Sequence, residues 1–227
     1  MRTMDSMDTE HPAMDTEHPA GPGLRERKKL EMRQALSRAA LRLAMEHGPE
    51  NVRIEDITTA VGVSYRTFAN YFGSREEAIV AVAADRAART VELFRNRPTD
   101  EPLARALVQA FTLPYQDRDV DAAGREQTWL PRLRLRLRQV LAAPTLSGAY
   151  LAGRSAAEHS LAEAIAERTN TDAATDLYPR VLASAVLAAE HAAVNFGLDT
   201  GTTATVTDLV RQAIEQVAGE PAGNSGN

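Results

Sequence analysis

Tyr65, Arg66, Thr67, Asn70 and Tyr71 fall within seven residues of one another and share a chemistry. Each carries a hydroxyl, amide or guanidinium group that can hydrogen-bond a base edge or a phosphate oxygen. Ten Lys/Arg against six Asp/Glu stand in residues 24–75, net +4, although the whole 227-residue chain is net −5. Residues 1–23 are net −4 and residues 76–227 net −5, so the positive charge is confined to one segment. That segregation is the pattern of a nucleic-acid module attached to an acidic body. Other chemistries find less material. There is no cysteine, which excludes thiol chemistry and disulfides. No nucleophile motif or glycine-rich phosphate loop occurs, so no catalytic residue is assigned and an enzyme is not expected. His159 and Glu163, four apart on a helix, are too few ligands for a metal site, and no metal or cofactor is expected.

The elements that must position the reading residues are two short helices, Ile54–Val61 and Ser64–Phe72, separated by Gly62. Ile57 and Val61 extend the apolar face that Ile54 begins, and Ala60 is small enough for a close crossing. Gly62 can adopt the left-handed conformation that ends a helix, Val63 plugs the turn, and the Ser64 hydroxyl can cap the second helix. Phe68 and Phe72 anchor that helix, which leaves the five polar residues outward. Two helices joined by such a turn form a helix-turn-helix. A helix over Arg25–His47 precedes them and ends at Gly48-Pro49. Another starts at Ser74, where Ser74-Arg75-Glu76-Glu77 has capping-box spacing, and runs to about Arg95.

Beyond it, apolar periodicity predicts helices over roughly 102–113, 124–142, 146–169, 173–197 and 203–218, with breaks at Pro114, Pro144 and 197–201. The fold class is therefore all-α, about nine helices, with no strand. The division expected is an N-terminal arm over 1–23, a helix-turn-helix domain over 24–73, a ligand-binding and dimerisation domain over 74–218, and a tail over 219–227. The arm holds a duplicated heptapeptide, MDTEHPA at Met7–Ala13 and Met14–Ala20. Its prolines and glycines, with little apolar surface to bury, predict disorder, and its His11 and His18 read as products of duplication rather than metal ligands. No apolar run of the length that crosses a bilayer stands out, and a cytoplasmic protein without membrane contact is the default.

The block VRIEDITTAVGVSYRTFANYFGSREE closely resembles the DNA-binding region of the TetR family of bacterial repressors. Ile57, Ala60, Gly62, Val63, Ser64, Thr67, Tyr71, Phe72 and Ser74 match the family pattern; Arg53, Ala69, Gly73 and Arg75 depart from it at a cap, an aromatic, a proline and a lysine. The likeness implies a homodimer on an inverted-repeat operator in double-stranded DNA. It also implies a body that binds a small-molecule ligand. By resemblance, Arg27, Lys28, Lys29, Arg53 and Arg75 contact the backbone, Ser64 caps the reading helix, Tyr65, Arg66, Thr67 and Asn70 read bases, and Tyr71 meets a phosphate.

In the body, Phe94, Phe111, Tyr115, Trp129, Tyr150, His159, His191 and Phe196 are the candidate cavity liners. Val181, Ala185 and Ala188, with the stripe Val206, Val210, Ala213, Ile214 and Val217, are the candidate dimer interface. Pro131–Arg138 alternates arginine with leucine. This arrangement fits either a solvated helix or a cationic mouth, Arg134 and Arg138 foremost, for a phosphate-bearing ligand such as an acyl-CoA. The second alternative rests on a likeness to the TetR branch that contains the mycofactocin regulator and other acyl-CoA-responsive repressors. A helical binding dimer whose DNA head no longer functions is the competing class.

Overall fold

The computed structural model describes residues 23–116, 131–200 and 202–219, with the side chains of 131–134 left aside. The arm with its duplicated heptapeptide, Trp129, the Arg134 side chain and nearly all of the tail lie outside the described residues.

Nine α-helices make up the described chain: α1 (Leu24–His47), α2 (Ile54–Val61), α3 (Tyr65–Ala69), α4 (Arg75–Arg95), α5 (Leu103–Gln116), α6 (Pro131–Leu141), α7 (Ser147–Thr169), α8 (Leu177–Thr200) and α9 (Val206–Ala218). Short 3-10 turns at Pro49–Asn51 and Pro144–Leu146 join α1 to α2 and α6 to α7. No strand occurs among the described residues.

Local chemistry sets most of the boundaries. Gly48, at φ 88°, donates its N–H to the Ala44 carbonyl and ends α1. Ser74 caps α4 by accepting the Glu77 N–H at 3.0 Å, while the Glu77 carboxylate reaches back one residue further than a capping box requires, to the Gly73 N–H at 2.8 Å. Thr205 caps α9 through the Asp208 N–H. Two expectations need correction. Pro114 does not stop α5 but lies inside its last turn, where a missing N–H costs only one intrahelical bond. The other concerns α8, which is long and apolar enough to cross a membrane by length and composition, contrary to the sequence reading. Half of that stretch is buried against the rest of the molecule, chiefly α7 and α9.

Two apolar cores arise from the faces these helices bury. The first gathers Leu36 and Ala40 of α1, Val52, Ile57, Phe68, Phe72, and Ala78 and Ile79 of α4, and is closed by Val140 and Leu146. The second joins Val91 and Phe94 of α4 to Leu107 and Phe111 of α5, Leu161 and Ile165 of α7, Ala183 and Val186 of α8, and Val210 and Ile214 of α9. Each fully buried aliphatic or aromatic side chain contributes about 1.5–3 kcal/mol. The helix α4 belongs to both cores, its first two turns in one and its last two in the other. Midway along, Gly153 of α7 lets the two helices approach closely, since a Cβ there would stand 3.3 Å from that of Ala84.

Candidate nucleic-acid interface and the cavity behind it

The turn between α2 and α3 is built as its residue types require. Gly62 sits in the left-handed region (φ 76°, ψ 35°) and donates to the Thr58 carbonyl at 2.8 Å; Val63 donates to the same oxygen at 3.0 Å. This closes the last turn of α2 and reverses the chain. At the other end of α2, the Arg53 N–H meets the Asp56 carboxylate at 3.2 Å. Ser64 then accepts the Thr67 N–H at 3.1 Å, and the two hydroxyls lie 3.0 Å apart. Phe68 and Phe72 face inward with ring centroids 5.7 Å apart and are both buried. Helix α3 is shorter than expected, because Asn70 and Tyr71 form a turn rather than continuing it.

Tyr65, 60% exposed, Arg66 and Asn70 project outward. Thr67 is half-buried under the cap, and the half-buried Tyr71 packs on the head core. Ala60 does not sit at a helix crossing; it is exposed on a shallow cleft with Arg42, Asn51 and Asp56. Arg27, Lys28 and Lys29 are exposed on the first turns of α1, and Lys29 shares a cleft with Asn70 and Tyr71. The basic start of α1 thus lies beside the end of α3. Arg53 is exposed at the start of α2.

Two arginines serve the scaffold. Arg75 donates to the Glu50 carbonyl at 3.0 Å, the Val52 carbonyl at 2.5 Å and the Glu76 carboxylate at 2.7 Å, which fastens the start of α4 to the segment before α2. The resemblance places this side chain on a phosphate; here its Nε and Nη1 are committed to the scaffold, with the side chain 31% exposed. Arg33 had no assigned role. It donates to Asp85 of α4 and to the Tyr71 carbonyl, both at 3.1 Å, and lies 4.5 Å over the Phe72 ring. Its spacing from Leu36 and Ala40 puts it on the buried face of α1, the one sequence signal that could have marked it.

Behind the head, α1, α4, α6, α7 and α8 border a cavity that is partly open to solvent and has two adjoining chambers. The larger, about 300 Å³, is apolar and includes Leu41, Val80, Leu137, Leu141, Leu151 and Val194 in its wall. The smaller, about 90 Å³, is the more polar of the two: it adds Arg154, Glu190, His191 and Asn195 to a wall that is otherwise mainly apolar, and Arg86 and Tyr150 border both chambers. Tyr150 hydroxyl and His191 Nδ1 are 2.7 Å apart, and Asn195 Nδ2 is 2.8 Å from His191 Nε2. Burial, helped by the Arg154 charge, holds the His191 imidazole below its ordinary pKa. Burial likewise raises the Tyr150 phenol.

Of the expected liners among the described residues, only Tyr150 and His191 face this cavity. Phe94 and Phe111 are fully buried members of the body core. Tyr115 is buried beneath the cavity and donates to Glu190 at 2.7 Å. Phe196 is 53% exposed, and His159 is exposed on α7, 3.3 Å from Glu163. Arg138 points to solvent and pairs with Asp199 at 3.0 Å, while Leu137 and Leu141 of the same helix face the cavity. Arg86, Arg154, Glu190 and Asn195 were missed, since nothing in their spacing separates them from solvated helix positions. Among the described residues no group of three metal-ligating side chains occurs.

On the candidate dimer surface, Val210 and Ile214 are fully buried within the chain, and Val206 and Ala213 pack on the same core. The outward face of α8 presents Val181 and Ala188, continued by Leu177, Ala192 and Phe196, with Ala185 half-buried beside them; Val217 of α9 is 39% exposed.

A short, outward-facing reading helix on an all-helical body defines a DNA-binding regulator of the helix-turn-helix class. The chain belongs to the TetR family: residues 36–82 match the family model for bacterial regulatory proteins, tetR family, and residues 101–221 that of the MftR C-terminal domain. It is 35% identical over 180 residues to the HTH-type transcriptional regulator TcmR of Streptomyces glaucescens, covering 79% of this chain and 78% of that protein. A crystal structure of a TetR-family transcriptional regulator from Mesorhizobium loti shares the fold, with TM-score 0.51 and 18% identity over 84% of this chain and 95% of that one. Members of this family are transcription regulators, not enzymes.

Proposed function

We propose that the chain is a ligand-responsive repressor, a homodimer that leaves an inverted-repeat operator when a small, largely hydrophobic molecule enters the cavity. The observation that carries this reading is the double allegiance of α4. Ala78 and Ile79 belong to the head core, whereas Val80, Ala83 and Arg86 of the same helix form the cavity wall. Any shift of α4 on filling the cavity is transmitted to the head, because α1 is tied to α4 through Arg33–Asp85. For useful release the ligand must favour the non-binding form by about 1–3 kcal/mol.

The DNA contacts in this reading are Tyr65, Arg66, Thr67 and Asn70 on bases, with Tyr71, Arg53 and Arg27–Lys29 on phosphates. Dimerisation uses the outward stripe of α8, since one short helix reads too few base pairs alone. An acyl-CoA mouth at Arg138 has less support, because that guanidinium is paired and turned from the cavity. The test is fluorescence anisotropy with the DNA flanking the protein's own gene, across salt and against a scrambled duplex. Wild type should prefer the flanking DNA, and Arg66→Ala should weaken that preference by about 1–3 kcal/mol without moving the melting temperature. Equal, weak binding of both duplexes by wild type counts against the proposal.

A further inference from the structure

We infer that the cavity receives an amphipathic monoanion, with a carboxylate head in the polar chamber against Arg154, Arg86 and Tyr150 and an apolar body in the leucine- and valine-lined chamber. This rests on the ligand-responsive reading above and adds the chemistry of the ligand.

Charge balance is the first argument. The polar chamber presents two guanidinium groups, Arg86 and Arg154, and one carboxylate, Glu190. Glu190 is buried and already committed, accepting the Tyr115 hydroxyl at 2.7 Å and facing Arg86 at 3.7 Å. That separation is too long for a hydrogen bond, and Arg86 Nε is a buried donor without an acceptor. Half-buried Arg154 has no ion-pair or hydrogen-bond partner among the described residues. One positive charge and one buried N–H are therefore left over, and both deficits are costly in a partly desolvated site. A single carboxylate meets the charge deficit at Arg154, which a neutral head leaves unmet, while the buried Arg86 Nε adds only its charge to the field of the site.

Tyr150 adds orientation. With Asn195 Nδ2 directed at His191 Nε2, that ring nitrogen accepts and the ring proton sits on Nδ1. Nδ1–H then donates to the Tyr150 oxygen at 2.7 Å, which leaves the Tyr150 O–H free to donate into the chamber. The neutral imidazole that this arrangement requires is the form burial favours.

Size is the third argument. At a liquid-like ~30 Å³ per non-hydrogen group, the polar chamber holds about three atoms, the number in a carboxylate. On the same measure the apolar chamber holds at least about ten more, enough for a medium-length hydrocarbon body. The two chambers share Val80, Ala83, Arg86, Leu141, Tyr150 and Val194, so one molecule can span them with its head beside the shared Arg86 and Tyr150.

The test is isothermal titration calorimetry on the full chain with decanoate and with decan-1-ol, which differ in the head alone. Decanoate should bind at least about tenfold more tightly than the alcohol. Arg154→Leu should abolish that preference while keeping alcohol affinity, which also reports an intact fold; Arg154→Lys should retain part of it. Equal affinity for the two probes in the wild type, binding of neither, or decanoate affinity unchanged in Arg154→Leu would overturn the assignment. Tight decanoate binding with no loss of DNA affinity leaves the assignment standing and overturns the ligand-release reading instead.

Discussion

Replacing Arg75 with Met separates two roles for one guanidinium. Its hydrogen bonds to the Glu50 and Val52 carbonyls join elements more than twenty residues apart, and its third partner, Glu76, is its chain neighbour. A charge-assisted hydrogen bond contributes about 1.5–3 kcal/mol when well buried. With the side chain 31% exposed, water can re-solvate the freed carbonyls in part, and the half-exposed Glu76 pair adds about 0–1 kcal/mol. The expected net loss is about 2–3 kcal/mol, or a fall of about 5–10 °C in melting temperature for a chain of this size. Thermal unfolding followed by circular dichroism measures this loss, and the salt dependence of DNA affinity supplies the second axis. If Arg75 is a scaffold tie, stability falls and the slope of log affinity against log salt is kept. A phosphate contact would instead lower that slope by about one and leave melting unchanged. That second result would refute the structural reasoning.

Gly62→Ala meets no atom within 4 Å, so its cost is purely that of a left-handed alanine, about 1–2 kcal/mol in urea unfolding; Gly62→Asn should cost less. Glu101 is held below its ordinary value of 4.5 by hydrogen bonds from Arg97. Because the folded pKa is the depressed one, the stabilisation is present above the ordinary value and is lost as pH falls through the folded value. The stability gap between wild type and Arg97→Met should accordingly hold near neutrality and shrink on acidification, and a gap independent of pH would count against the pair. Val181→Asp, in the outward stripe of α8, should convert dimer to monomer in sedimentation velocity while the helical signal is kept; an unchanged sedimentation coefficient would put the subunit contact elsewhere.

Much of the DNA head was legible in the residues because its determinants are local. The bounds of α2, the left-handed turn at Gly62, the caps at Ser64 and Ser74 and the inward Phe68–Phe72 pair are all decided within a few residues. The end of α1 at Gly48 belongs with them, as does the helical character of the body. Pro114 misled because a proline near a helix end costs little, so its presence does not fix the boundary.

The sequence alone determined the all-α class, the order of the helices and the outward placement of Tyr65, Arg66 and Asn70, since periodicity, caps and turn chemistry act along the chain. Only the tertiary structure decided which polar groups meet. Arg33 finds Asp85 across 52 residues, Tyr115 finds Glu190 across 75, and Tyr150 finds His191 across 41. It also decided that Phe94, Phe111, Val210 and Ile214 fill the core, not a cavity or a subunit contact. Such choices depend on where helices cross. An amphipathic helix announces which face it will bury but not which neighbour it will bury it against.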